Sequence, residues 1–116
     1  MKVIDTSVLN QQLGGDNEFL AEVIADFRQQ RAQISTQLKE ALAQRKFADI
    51  SAHAHRIKGS LLTLGASPAA DAAFQVESIS RSEDLERTAR AVSQLEVELD
   101  RLEPELKRLA ERGFRG

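Results

Sequence analysis

The chain has 116 residues, enough to bury one hydrophobic core and too few for two, so a single domain over 1–116 is expected to carry its function. Sixteen Lys and Arg against 18 Asp and Glu leave a formal charge of −2 with both signs scattered, which argues against a nucleic-acid partner, and the absence of Cys excludes disulfides, thiolate metal sites and cysteine nucleophiles. No apolar run is long enough to span a bilayer, so a soluble, cytoplasmic protein with no membrane partner is expected; with five Phe, no Trp and no Tyr, its core must be aliphatic and its fold helical.

A short first helix is predicted from about Thr6 to Leu13, stopped by Gly14-Gly15, with Asp16 as N-cap of a long second helix to about Gln44. The apolar stripe of that second helix reads Phe19, Val23, Phe27, Ile34, Leu38 and Leu42. A third helix should run from about Ala48 to Leu64 and stop at Gly65, because Ile50, Ala54, Ile57, Leu61 and Leu64 recur at spacings of three and four. The fourth is expected to be capped by Ser67, with Pro68 at its first position, and to run to about Ser80. It buries Ala69, Ala72, Ala73, Val76 and Ile79, with Phe74 filling a flank. From Ser82 a heptad seam appears, Leu85, Val92, Leu99 and Leu106 alternating with Thr88, Leu95, Leu102 and Leu109. Pro104 interrupts this seam without shifting its phase, which predicts a kinked helix or a break followed by a short coaxial one. Short loops between long helices predict an all-α, antiparallel up-and-down four-helix bundle, with the first helix as a lid.

The least generic stretch is Ala52 to Ser60, because glycine inside a helix costs about 0.5–1 kcal/mol relative to alanine and Gly59 sits well inside this one. With Ile50 set at the core direction, His55 falls near 140° and Gly59 near 180°, both on the outer face. Ser51 and Ala52 lie one turn before His55, Lys58 and Gly59 one turn after, and Leu62 two turns after. An exposed imidazole beside an ammonium and a missing side chain suits a dianionic phosphoryl group: Lys58 offsets charge, and Gly59 leaves room for a partner's loop. His53 points about 160° away from His55, so the two cannot chelate one metal from this helix, and His53 is assigned a structural role.

The spacing of His55, Lys58, Gly59, Ser60 and Gly65 resembles the signature of histidine-containing phosphotransfer (HPt) domains, and the likeness extends over about residues 4 to 100. The resemblance implies that His55 accepts phosphate, that Lys58 supports it and that Gly59 keeps the surface open. Glu77 matches a position where members often carry Gln or Glu beside the phosphorylated histidine. As partners the resemblance implies response-regulator receiver domains and a hybrid sensor histidine kinase, serving a monomeric phosphorelay protein that turns over no substrate alone. Ser51, Ala52, Leu62 and Glu77 would then border the site and its docking face. No cofactor is expected in this chain, with Mg²⁺ residing in the partner receiver, because no carboxylate cluster here suits that ion.

Two other readings compete. A histidine-kinase dimerisation domain also displays a histidine on a helical bundle, but it typically has an acidic residue after the histidine and a proline nearby, where this chain has Arg56 and Gly59 and no Gly-rich nucleotide-binding segment. A helical adaptor that binds a signalling partner without covalent chemistry accounts for every apolar stripe. It leaves unexplained only the grouping of His55, Lys58 and Gly59.

Overall fold

The computed structural model describes residues 2–115, and every regular element in that span is helical. Helix α1 covers Thr6–Leu13, α2 Asn17–Ala43, α3 Phe47–Thr63, α4 Ser67–Ser80 and α5 Leu85–Arg112, followed by a 3₁₀ turn at Gly113–Arg115. Three aspartates start helices by accepting otherwise orphaned N–H groups. Asp5 takes those of Ser7 and Val8, Asp16 those of Glu18 and Phe19, and Asp84 that of Arg87. Such a cap is worth about 1 kcal/mol each.

The four long helices close on one another: α2 packs on α3, α3 on α4, α4 on α5, and α5 returns to α2. Their shared interior is aliphatic, with Leu20, Ile24, Ile34, Leu38, Ile50, Ile57, Leu61, Leu95, Leu99 and Leu102 essentially removed from solvent. Burying a leucine or isoleucine contributes about 1.5–3 kcal/mol, so this layer supplies most of the drive to fold. Helix α4 meets its neighbours through Ala69, Ala70, Ala72 and Ala73, whose small side chains let α3 come close. The α3–α4 interface is the one on which the candidate site is built.

Helix α1 lies against α3 and is tied down through the turn that follows it. The Asp5 N–H donates to the Gly65 carbonyl at 2.8 Å. Gly65 has φ of +71°, and a Cβ there would stand 2.6 Å from the Asp5 carbonyl oxygen. Only glycine meets both demands.

Several sequence expectations shift. On α2 the core is made by Leu20 and Ile24 rather than by Phe19, which is exposed, or Val23, which is half-buried. The stripe Leu20, Ile24, Phe27, Ile34, Leu38, Ala41 keeps helical spacing while rotating the N-terminal part by one residue. Phe27, Ile34 and Leu38 belong to both stripes, whereas Phe19, Val23 and, at the far end, Leu42 give way to Leu20, Ile24 and Ala41. Helix α3 begins and ends one residue earlier than expected. Helix α4 begins at Ser67 itself, with Ala66 in the cap position and no side-chain cap, so Ser67 is not the cap and Pro68 lies one place further in. Phe74 faces solvent instead of filling a flank, and Ile79 is half-buried. Helix α5 runs unbroken through Pro104, because Leu102 and Leu106 on either side are both held in the core while Pro104 faces water.

Candidate functional site

Four residues of α3, Ile50, Ala54, Ile57 and Leu61, are wholly buried, and together they fix the rotation of the helix. With that face inward, Ala52, His55, Gly59 and Leu62 must point outward, and all four are exposed. The His55 side chain is 67% exposed. A Cβ added at Gly59 would meet no atom within 4 Å, so the glycine opens onto free space, where it removes bulk from the surface beside the imidazole. Leu62 is an exposed apolar residue further along the same face.

Across the interface, Glu77 of α4 turns its side chain toward α3, and only 11% of it remains exposed. A carboxylate this covered needs partners, and it has three. Its Oε1 accepts from Lys58 Nζ at 2.8 Å, its Oε2 lies 3.0 Å from His55 Nδ1, and Arg81 Nη2 stands 3.7 Å from the same Oε2. The hydrogen bond from Lys58 is the largest influence on the carboxyl group and lowers its pKa; burial opposes this, and the contact with His55 adds to the lowering. Glu77 is therefore an anion at neutral pH. An anionic carboxylate has no proton to give, so His55 Nδ1 must be the donor, which leaves the lone pair of the neutral ring on Nε2.

Serines fasten the carboxylate's backbone. The hydroxyl groups of Ser51, on α3, and Ser80, on α4, both donate to the Glu77 carbonyl, at 3.2 and 2.9 Å. Ser51 is thus a half-buried link between helices that borders the site from below.

Lys58 differs from its sequence expectation. It is not a free surface cation: its side chain is 22% exposed, its ammonium is bound to Glu77, and that ammonium lies 5.2 Å from the centre of the Phe74 ring. A cation over an aromatic face is held electrostatically. Phe74, expected to fill a flank of α4, is half exposed and forms an outer wall of the site. Sequence reasoning missed this wall, since Lys58 and Phe74 lie on different helices and their contact leaves no periodic trace, and it missed Arg81, although Arg81 stands only four residues after Glu77 at the end of the same helix.

His53 is half-buried, with Nδ1 enclosed and without a protein partner, in a depression shared with Gln37, Glu40, Asp49 and Lys46. It does not join His55. Among the described residues no three His, Cys, Asp or Glu side chains gather as a metal-ligand set.

A solvent-facing imidazole with a free Nε2 lone pair, oriented by a buried carboxylate, is a nucleophile presented on a surface rather than in a cleft. The sequence model of the Hpt domain family matches residues 18–105. This chain belongs to the Hpt domain family. Hpt domains are phosphotransfer modules of two-component signalling, not classical enzymes, and they typically interact with receiver domains. The matched span of this Hpt domain contains His55, Lys58, Gly59 and Glu77, while α1 lies before it. Comparison with curated proteins finds no match. Among the described residues of the Hpt domain, no helix is long and apolar enough to cross a membrane.

Proposed function

We propose that this Hpt domain is a phosphorelay intermediate in which His55 takes a phosphoryl group from a receiver-domain aspartate and passes it to another receiver. The observation that carries this reading is the 3.0 Å contact of His55 Nδ1 with Glu77, which leaves Nε2 as the nucleophile on the open side of the ring. In the forward step the Nε2 lone pair attacks the phosphorus of the aspartyl phosphate. The N–P bond forms as the P–O bond to the aspartate breaks, the carboxylate leaves with that electron pair, and the Nδ1 proton stays on the ring facing Glu77.

In this reading Lys58 and Glu77 orient the imidazole, and Gly59 gives the receiver's loops room. Ala52 and Leu62 are apolar contacts beside the histidine, and Ser51 holds the α4 backbone at the site's edge. An open groove of about 370 Å³ between α2 and α3, lined in part by Val23, Phe27, Ser60 and Thr63, supports docking across this side of Gly59. The chain supplies no cofactor, and the Mg²⁺ that phosphoryl chemistry on an aspartate requires belongs to the receiver. The reading takes residues 1–116 as one domain, monomeric and cytoplasmic, charged by way of a hybrid sensor histidine kinase. It also takes the four long helices as an antiparallel up-and-down bundle with α1 as lid, for which the short connections between them are the support.

Incubation with phosphorylated receiver domains tests the proposal. Label should pass to the chain, resist base and be lost in mild acid, as a phosphoramidate is; His55→Gln should abolish it and His53→Gln should leave it largely intact. Labelling that persists without His55, or a folded chain that binds receivers yet never takes label, would overturn the proposal, the latter in favour of a non-covalent adaptor.

A further inference from the structure

Lys58 stands beside His55, but its charge is already engaged by Glu77 at 2.8 Å and its ammonium is held over Phe74. Lys58 and Glu77 together are close to neutral. A phosphoryl group on Nε2 would add a charge of about −1.5 to −2, and this pair leaves most of it uncompensated.

The other cation on Glu77 is in a different condition. Arg81 sits just past α4, in its C-cap position, with a side chain 73% exposed. Its Nη2 is 3.7 Å from Glu77 Oε2, beyond hydrogen-bonding range. That oxygen is the one His55 Nδ1 contacts, so the guanidinium is adjacent to the imidazole and still free to move. Arg81 and Ser51 also line an open groove at the N-terminal side of the site, opposite Lys58 along α3. A guanidinium offers a planar fork of donors matched to phosphate oxygens, which an ammonium does not.

Resting on the phosphorelay reading above, we propose that Arg81 is the residue of this chain that binds the phosphoryl group on His55, swinging from Glu77 Oε2 to the phosphate oxygens, while Lys58 remains with Glu77 as a positioning residue. The exchange requires no bond chemistry, only a change of ion-pair partner. Arg56 follows His55 directly and is also exposed, but no contact ties it to Glu77 or the ring, so it serves as the control for charge alone.

The test uses the full chain, phosphorylated by a receiver and then freed of it. Arg81→Ala should shorten the lifetime of phospho-His55 about two- to fivefold, the range an exposed ion pair supports, and Arg81→Lys should restore only part of it. The phosphorus NMR signal of Arg81→Ala should titrate at higher pH than in the native chain, because losing a neighbouring cation disfavours the dianion. A structural role would not produce that shift. Arg56→Ala should change neither quantity. An unaltered lifetime and titration in Arg81→Ala, or equal effects from Arg56→Ala, would overturn the assignment. Failure of the native chain to take label at all would instead strike the phosphorelay reading beneath it.

Discussion

Charged side chains bridge two pairs of helices in this molecule, with the pattern of burial reversed between them. Between α2 and α5 the covered group is a cation: Arg31, 21% exposed, reaches Asp100 at 2.6 Å and Glu96 at 3.4 Å, carboxylates that are 74% and 27% exposed. Ser35 donates to Glu96, and Arg28 pairs with Glu103 nearby. Between α3 and α4 the covered group is the anion Glu77, and the exposed partner is an imidazole. Burial works against the charge on Arg31, but hydrogen bonding and attraction from Asp100, then from Glu96, outweigh it and raise its pKa. Such a network can only hold helices together, because a guanidinium always charged has no lone pair to offer. A buried carboxylate under an exposed histidine fixes a tautomer and leaves a reactive nitrogen in solvent. Two ion-pair networks of similar size thus serve different ends, and which group is covered decides which.

The comparison can be broken most directly at Gly59, where the α3 face has open space. Gly59→Glu should lower phosphotransfer about 100-fold, by filling the docking gap and setting a negative charge beside the incoming phosphate, with little change in melting temperature. Unfolding of that variant would make the glycine a packing residue, and transfer at the native rate would refute docking on this face. Glu77→Ala should have the next largest effect, slowing transfer about tenfold by freeing the ring, as loss of a partner does for other oriented histidines. Retention of the native rate would mean that the carboxylate does not orient His55.

A smaller effect concerns acid stability. Because Glu77 has a lowered pKa in the fold, its contribution is fully present above the unfolded glutamate value of about 4.3 and is lost as pH falls through the folded value. Thermal melts should therefore drop more steeply below about pH 4.3 in the native chain than in Glu77→Gln. Parallel acid limbs would show that the carboxylate gains nothing from Lys58 and His55. The smallest change is expected on the opposite side of the molecule: Arg31→Ala should cost about 1 kcal/mol of stability in denaturant unfolding and leave transfer rates unaltered. A loss of transfer there would couple the two networks and end the contrast between them.

The sequence alone determined the helical class, the N-cap at Asp16, the heptad seam of α5 and the outward placement of His55, Gly59 and Leu62. Each of these is a local property, set by a 3.6-residue period or by a cap within one turn. The grouping of His55, Lys58 and Gly59 was legible for the same reason, since three residues on one helix face need no tertiary partner to be neighbours. Where the period was ambiguous the sequence misled, as at Phe19, because an aromatic on either side of the α2 stripe fits helical spacing and only packing against the other helices selects Leu20 and Ile24. Glu77 was named through a resemblance, but nothing local said that it lies under the imidazole and holds Lys58. Only the tertiary structure decided that the lysine's charge is already engaged, that Phe74 walls the site and that Arg81, through its contact with Glu77, comes beside the imidazole. Those facts depend on how closely the alanine face of α4 approaches α3, and the distance between two helices is written in neither one of them.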